Sequence, residues 1–302
     1  MVRKIIFLIN PISGTQKKEK IKDLIIRKTR ARGIDFEILP SRADGNYEDL
    51  RGIIKKDAVT DVVICGGDGT LNAVANALQG VHVNIGIIPI GSGNSLALAA
   101  KIPKQTGLAL DVIFKGNAYP VDAFHINEKF SCALCGIGFD AEVAHEFAKQ
   151  KTRGLQTYLR ISTMKFFRSK PYPFEIKVDD RVIKTDAYFI SIANSNQFGN
   201  NVTIAPKASM SDGLLDIVIV KKMNKMILPF SVLLQVAGNN RLMQGIEYFE
   251  EKNIIYVQTD KIIIRNPAHA PMHIDGEPTD TSAEFKIRII PNCFNLIQPQ
   301  QT

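Results

Sequence analysis

Short apolar runs alternate with amphipathic segments through the first third of this chain of 302 residues. Such alternation is typical of buried strands separated by helices. The apolar runs are KIIFLI at 4–9, DFEIL at 35–39, DVVIC at 61–65 and IGIIPI at 85–90, with helices predicted at about 17–30, 46–56 and 70–78. This βαβα order predicts a parallel sheet, and therefore an α/β fold, for the first part of the chain.

The pattern changes after about residue 121, where most segments have the character of strands separated by turns. Two helical stretches interrupt them, at roughly Ala141 to Phe167 and Lys225 to Ala237. A mostly antiparallel second domain is therefore expected. We place the first domain at 1–121 and the second at 122–291, and we expect the tail at about 292–302 to pack back on the first domain.

The net charge of +8 favours a polyanionic partner. The segment from Lys149 to Lys170 holds seven Lys or Arg residues and no acid, interleaved with Tyr158, Phe166 and Phe167. A basic amphipathic helix that carries aromatic rings suits the surface of an anionic membrane, and a solvated basic face is the alternative. The sequence has no recognisable nucleic-acid-binding motif, so nucleic acid is not an expected partner.

The expected location follows from the apolar runs and the cysteines. No apolar run reaches the roughly 18 residues that a membrane span needs. The four cysteines form no regular framework, and no signal peptide precedes the first apolar run. We therefore expect a cytoplasmic protein that is peripheral to the inner membrane.

Polar, glycine-bearing loops follow three of the predicted strands: NPISG at 10–14, GGDGT at 66–70 and GSGNS at 91–95. Ligands of parallel sheets bind beyond the carboxyl ends of the strands, which is where these loops lie. In GGDGT the glycines would let phosphates approach the backbone at a helix N-terminus. Asp68 would then meet a Mg²⁺ hydration shell or a hydroxyl group, and the alternative is that it only caps the helix.

The GGDGT segment resembles the nucleotide-binding signature shared by diacylglycerol kinase-like lipid kinases, sphingosine kinases, NAD kinases and phosphofructokinases. Four further segments resemble lipid kinase motifs and occur in the order of that family: NPISG, IPIGSGNSLA, ASMSDGLLDIVIV and MHIDGEP. NAD kinases would instead carry a Gly-x-x-Gly-Phe-Leu stretch, to which GSGNSLA is a poor fit. The chain therefore resembles the diacylglycerol kinase-like and sphingosine kinase-like lipid kinases of bacteria.

This resemblance implies a Rossmann-like N-terminal domain that binds ATP and a β-sandwich C-terminal domain that receives a lipid hydroxyl. Ser95 stands where bacterial diacylglycerol kinases usually have a second acid, so the substrate is left open between diacylglycerol and a sphingoid-type lipid. By position, the resemblance assigns the following residues to ATP: Asn10, Ser41, Gly66, Gly67, Asp68, Gly69, Thr70, Leu71, Asn72 and Ser92.

The HIDGEP segment is the candidate for the chemical step. Asp275 and Glu277 are two residues apart and would point to the same side of an extended chain. The resemblance makes Asp275 the general base and Glu277 its assistant, while Asp68 competes for the role of the base. The alternative is that Asp-Gly at this position is only a hairpin turn.

Two further sites follow from the resemblance. The SMSDGLLD segment resembles a loop that binds Mg²⁺ through the carbonyl groups of Ser209 and Leu214 and the carboxylate of Asp212, the alternative being a plain turn. In GIGFDAEVAHE, Asp140 or Glu142 falls where sphingosine kinases place a headgroup-binding acid. Acids are also favoured at a helix start by the helix dipole, which is the alternative for these two.

Together these features predict an ATP- and Mg²⁺-dependent lipid kinase that transfers the γ-phosphate to a lipid hydroxyl. An NAD kinase and a non-catalytic lipid-binding relative are the alternatives. The expected partners are a lipid substrate and an anionic membrane surface, and a homodimer is retained as one option for the oligomeric state.

Overall fold

The computed structural model of the protein describes residues 3–9, 18–150, 155–197, 205, 207–222, 248–250 and 254–300. The chain divides into two compact units, one formed by Met1–Val121 with Asn292–Thr302 and the other by Asp122–Pro291. The predicted helix from Lys225 to Ala237 and the NPISG loop lie outside the described residues.

The first unit alternates strands and helices. Its elements are β1 (Lys4–Ile9), α1 (Lys18–Arg30), β2 (Asp35–Pro40), α2 (Glu48–Lys56), β3 (Asp61–Gly66), α3 (Asp68–Ala77), β4 (Asn84–Pro89), α4 (Ser95–Ala99) and α5 (Thr106–Lys115). The strands agree with the apolar runs to within one residue. The runs of β1, β3 and β4 are buried on both faces of the sheet, whereas β2 is partly exposed.

The second unit is built mainly from strands. β5 (Asn117–Ile126) leads into it, followed by β6 (Lys129–Ser131), β7 (Leu134–Gly138), α6 (Phe139–Ala148), α7 (Leu155–Arg168), β8 (Tyr172–Val178), β9 (Arg181–Ala193), β10 (Leu215–Lys221), β11 (Tyr248–Glu250), β12 (Ile254–Thr259), β13 (Lys261–Arg265), β14 (Met272–Ile274), β15 (Glu277–Thr279) and β16 (Glu284–Gln298).

The two units differ in the direction of their strand pairing. In the first unit β1 pairs in parallel with β2 and β3, β3 with β4, and β4 with the last part of β16. In the second unit the described pairings are antiparallel, for example β8 with β9, β9 with β10, and β13 with β16. The predicted α/β fold class, with a parallel first domain and a mostly antiparallel second one, is confirmed.

The single helix predicted from Ala141 to Phe167 is wrong, because the described residues form α6 and α7 instead. The rings of Phe139 and Phe166 lie 5.6 Å apart, and those of Phe147 and Tyr158 lie 5.9 Å apart. One continuous helix could not bring these rings together, so α6, which ends at Ala148, and α7, which begins at Leu155, are separate helices. Among the described residues, no helix has both the length and the apolar character needed to cross a membrane.

Candidate functional site

In the first unit, the loops after β3 and β4 lie in direct contact through their glycines. A Cβ added to Gly91 would lie 2.5 Å from the Cα of Gly67, so neither loop could carry a side chain there. A Cβ on Gly66 would meet the side chain of Thr70 at 3.1 Å, whereas one on Gly69 would meet nothing within 4 Å. Protein contacts therefore explain Gly66 and Gly67, whereas the space beside Gly69 is open.

Asp68 is the first residue of α3, and the helix begins two residues before its predicted start. The alternative that Asp68 only caps this helix is wrong, because Gly67 and not Asp68 occupies the N-cap position. The carboxyl group of Asp68 instead faces the start of α4, where the Ser95 hydroxyl lies 3.5 Å from Oδ2. Burial raises the pKa of Asp68, and hydrogen bonds from the backbone of residues 94–96 partly oppose this rise.

Asn94, which sequence reasoning missed, organises the second loop. Its side chain accepts a hydrogen bond from the Gly91 N–H at 3.0 Å and donates one to the Gly91 carbonyl at 2.7 Å. Its φ of +57° lies in the left-handed region that asparagine tolerates. An asparagine directly after glycine, in front of a helix, is the signal that could have indicated this role.

The other residues assigned to ATP occupy different settings. Ser41 is buried at the end of β2, where its N–H donates to the Ile9 carbonyl at 2.9 Å, and Ser92 is exposed in the loop after β4. Leu71 is buried in α3, so its side chain belongs to the core. Asn10 lies outside the described residues.

In the second unit, Asp275 and Gly276 form the two-residue turn between β14 and β15. Both have positive φ, +49° and +81°, and Ile274 pairs with Glu277 across the hairpin. The expectation that Asp275 and Glu277 share one side of an extended chain is therefore wrong, because the backbone reverses between them. Glu277 starts β15 with an exposed side chain.

The carboxyl group of Asp275 is oriented by two donors, one at the end of β6 and one at the start of β7. Its Oδ1 accepts hydrogen bonds from the Ser131 hydroxyl and from the Leu134 N–H, both at 2.9 Å. The Asp275 N–H in turn donates to the Leu134 carbonyl at 2.8 Å. Only 9% of the residue is exposed, so this side chain is held firmly at the edge of the protein interior.

His273 connects this turn to Asp140, and sequence reasoning missed it. The Gly276 N–H donates to His273 Nδ1 at 3.2 Å, and His273 Nε2 lies 3.4 Å from Asp140 Oδ2. Because Nδ1 accepts this hydrogen bond, Nε2 is the ring nitrogen that carries a proton, and it faces the carboxyl group of Asp140. Gly136 makes the approach possible, since a Cβ there would lie 1.9 Å from Asp140 Oδ2.

The two acids considered for the substrate headgroup both lie in the first turn of α6. Asp140 is buried, and its Oδ1 accepts a hydrogen bond from the Ala141 N–H at 2.8 Å. Glu142 accepts a hydrogen bond from the hydroxyl of Tyr172 at 2.5 Å. Burial and this contact with Glu142 raise the pKa of Tyr172. Both acids thus have partners within the protein.

The loop assigned to Mg²⁺ lies before β10. Asp212 Oδ1 accepts a hydrogen bond from the Leu214 N–H at 3.1 Å, and the Ser209 hydroxyl accepts one from the Ser211 N–H at 3.4 Å. Burial, and secondarily the negative charge of Asp122, raises the pKa of Asp212. The Gly213 N–H donates to Asp122 Oδ2 at 2.8 Å, so a second acid lies beside this loop, and carboxylate oxygens are ligands that a hard divalent cation prefers.

Comparison with known proteins places both units in one family. Residues 4–126 match the model of the diacylglycerol kinase catalytic domain, and residues 133–298 match that of the YegS C-terminal NAD kinase beta sandwich-like domain. The chain belongs to the diacylglycerol kinase-like lipid kinase family. The resemblance inferred from GGDGT, MHIDGEP and the accompanying motifs is confirmed.

Two other proteins named as lipid kinases are similar to this chain over most of its length. The Shewanella frigidimarina (strain NCIMB 400) protein named "Probable lipid kinase YegS-like" is 29% identical to this chain, and the match covers 80% of this chain and 78% of the relative. The diacylglycerol kinase of Bacillus subtilis (strain 168) is 26% identical, with 89% and 88% covered.

Two solved structures from Bacillus anthracis str. Sterne, both titled as structures of a diacylglycerol kinase, are also similar to the chain. Their TM-scores are 0.79 and 0.70 at 21% and 20% identity. Each match covers 98% of this chain and 97% of the other. At this level of identity the similarity supports the fold.

Proposed function

We propose that this member of the lipid kinase family transfers the γ-phosphate of ATP, with Mg²⁺, to the hydroxyl group of a lipid. The observation that carries the proposal is the Asp275 carboxyl group, which two donors hold at one oxygen in a tight turn where only 9% of the residue is exposed. Phosphorylation of an alcohol needs a group of this kind to orient the hydroxyl and accept its proton.

Asp275 acts as the base. The donors from Ser131 and Leu134 hold the carboxyl group in one orientation, so little ordering is needed when the acceptor hydroxyl arrives. His273 supports the same turn through the Gly276 N–H. Glu277 is exposed on the neighbouring strand, where its negative charge assists by orienting the acceptor.

Nucleotide binding is assigned to the loops after β3 and β4 in the first unit. Gly69 leaves open space at the start of α3, where the helix N-terminus favours phosphate. Asp68 is the weaker candidate for the base, because its carboxyl group faces the start of α4. Bound Mg²⁺ would offset phosphate charge during transfer, and a second ion held by Ser209, Asp212 and Leu214 would stabilise the loop before β10.

Asp140 and Glu142 remain the candidates for contact with the hydroxyl or amine of the acceptor headgroup. Glu142 would have to share its hydrogen bond from Tyr172 with such a ligand. Diacylglycerol and a sphingoid-type lipid both present a primary hydroxyl, so the reaction proposed for Asp275 is the same for either.

The test is phosphate transfer from labelled ATP with Mg²⁺ to diacylglycerol, a sphingoid base, ceramide and NAD, the three lipids in mixed micelles. Wild type is compared with Asp275→Asn, in which the amide oxygen can still accept from Ser131 and Leu134. Asp280→Asn is the matched control, because Asp280 is an exposed acid that follows the same hairpin. We expect transfer to one lipid and a loss of about 10²- to 10⁴-fold in Asp275→Asn alone.

Each other outcome has a definite meaning. Transfer to NAD but to no lipid would overturn the lipid kinase proposal. Binding of ATP without transfer to any acceptor would favour a non-catalytic relative. Full activity of Asp275→Asn would assign the base to another group, with Asp68 the next to be substituted.

A further inference from the structure

The helix α7 exposes three large apolar side chains. Leu159, Met164 and Phe167 are 43%, 61% and 57% exposed, and the other large apolar residues exposed to this degree in the described part of the chain are Leu108 and Val182. At about 100° per residue, the three α7 residues fall within an arc of about 140° around the helix. They therefore form one apolar surface, which we call the α7 ridge.

The opposite side of α7 is already packed against the second unit. Ile161 and Phe166 are buried, and the Phe166 ring lies 5.6 Å from those of both Phe139 and Tyr188. Tyr158 packs against this same cluster. The helix thus has a core-facing side that anchors it, and the α7 ridge is a second apolar surface that the core does not require.

Cations accompany the α7 ridge. Arg160 lies within the same arc, Arg168 lies beside it, and Lys170 follows the helix, all three being exposed. The sequence from 155 to 170 contains no acid. A groove along α7 is lined by Arg160, Met164, Lys165, Arg168 and Lys170, together with Glu142 and Glu146 from α6.

We propose that the α7 ridge is the surface by which the protein docks on an anionic lipid bilayer. Leu159, Met164 and Phe167 enter the boundary between headgroups and acyl chains, and the neighbouring Arg and Lys side chains meet lipid phosphates. Mixed apolar and cationic character on one exposed helix face complements such an interface better than it complements water or an uncharged protein surface. This proposal deepens the proposed function and rests on it, because a kinase whose acceptor is a membrane lipid has to reach the membrane surface.

The absence of tryptophan from the sequence allows a direct test. Phe167→Trp provides a single fluorescent reporter on the α7 ridge, and Leu108→Trp provides a matched reporter at an exposed apolar position in the first unit. With vesicles of phosphatidylcholine and phosphatidylglycerol, we expect a blue shift and quenching by brominated acyl chains for Phe167→Trp. No shift is expected for Leu108→Trp, and vesicles of phosphatidylcholine alone should bind far more weakly.

Binding itself is measured by vesicle sedimentation in the absence of ATP. Replacing Leu159, Met164 and Phe167 together by Gln should weaken partitioning at least about tenfold, because their partial burial in the interface is lost. Replacing Arg160, Arg168 and Lys170 by Gln should weaken it roughly hundredfold at low salt, since each cation contributes about fivefold. The double variant Leu108→Gln/Val182→Gln should bind like wild type.

The possible failures are distinguishable. Vesicle binding by wild type with no shift in Phe167→Trp, or unchanged binding of the triple apolar variant, would overturn the proposal. A wild-type dimer that the triple variant converts to monomers would assign the α7 ridge to a second copy instead. We expect the triple apolar variant to phosphorylate a water-soluble short-chain diacylglycerol at the wild-type rate. If wild type itself fails in that assay, the kinase proposal is contradicted but the docking surface is not.

Discussion

Replacing Gly136 by alanine is the substitution that most directly probes the pair of His273 and Asp140. An ideal Cβ on Gly136 would lie 1.9 Å from Asp140 Oδ2 and 2.4 Å from His273 Nε2, whereas real Cβ atoms keep at least 3.0 Å. The carboxyl group would have to move by about 1.1 Å or more. His273 is fully buried and Asp140 is 5% exposed, so neither side chain can relax into water.

The expected cost has two parts. Overpacking in a buried site costs about 1–3 kcal/mol, and weakening the buried polar contact between His273 and Asp140 adds to it, so we expect Gly136→Ala to lose about 2–4 kcal/mol of unfolding free energy. For a unit of this size, that loss lowers Tm by roughly 5–15 °C. His273 also receives the Gly276 N–H, so its displacement moves the turn that carries Asp275. A misplacement of about 1 Å at a reacting group can reduce kcat about 100-fold.

The assays are thermal unfolding followed by circular dichroism, and phosphate transfer at saturating lipid. Gly52→Ala is the control, because Gly52 lies in α2 with nothing within 4 Å of an added Cβ, so alanine there should stabilise by up to about 1 kcal/mol. Gly136→Ala with a wild-type Tm and a wild-type kcat would refute the reasoning. A lowered Tm with unchanged kcat would show that the pair stabilises the unit without positioning Asp275.

Two further substitutions test other parts of the structure. Gly91→Ala should destabilise the first unit by about 1–3 kcal/mol in urea unfolding, because the new Cβ would lie 2.5 Å from the Cα of Gly67. Gly69→Ala, with open space around the new Cβ, should change stability by less than about 1 kcal/mol, and an equal loss of stability in the two variants would contradict the contact. Burial, and then the charge of Asp212, raises the pKa of Asp216 to about 7 from 3.8. Because the folded state holds this proton more tightly, wild type should lose stability as pH rises from about 4 to 7, by at most about 4 kcal/mol. Asp216→Asn should lack this loss, and a pH dependence of its urea midpoint equal to that of wild type would argue against the shift.

Local patterns in the sequence predicted the strands and helices from β1 to β4, but not the short helices α4 and α5 that follow. The apolar runs of β1, β3 and β4 predicted strands to within one residue, because their side chains are buried on both faces and each run reports its own environment. The same local reasoning merged α6 with α7, because a 3.6-residue period does not show where one helix ends and the next begins.

The sequence by itself therefore determined the order of strands and helices from β1 to β4, the family motifs and the basic, aromatic stretch that became α7. Only the tertiary structure decided which groups meet. Ser131 and Asp275 are separated by 144 residues in sequence, yet they share a hydrogen bond, and His273 reaches Asp140 across a glycine on β7. The physical reason is that burial and backbone preference are local properties that a short segment records, whereas contacts between distant segments depend on strand pairing, as between β14 and β7, and on the close packing that it imposes.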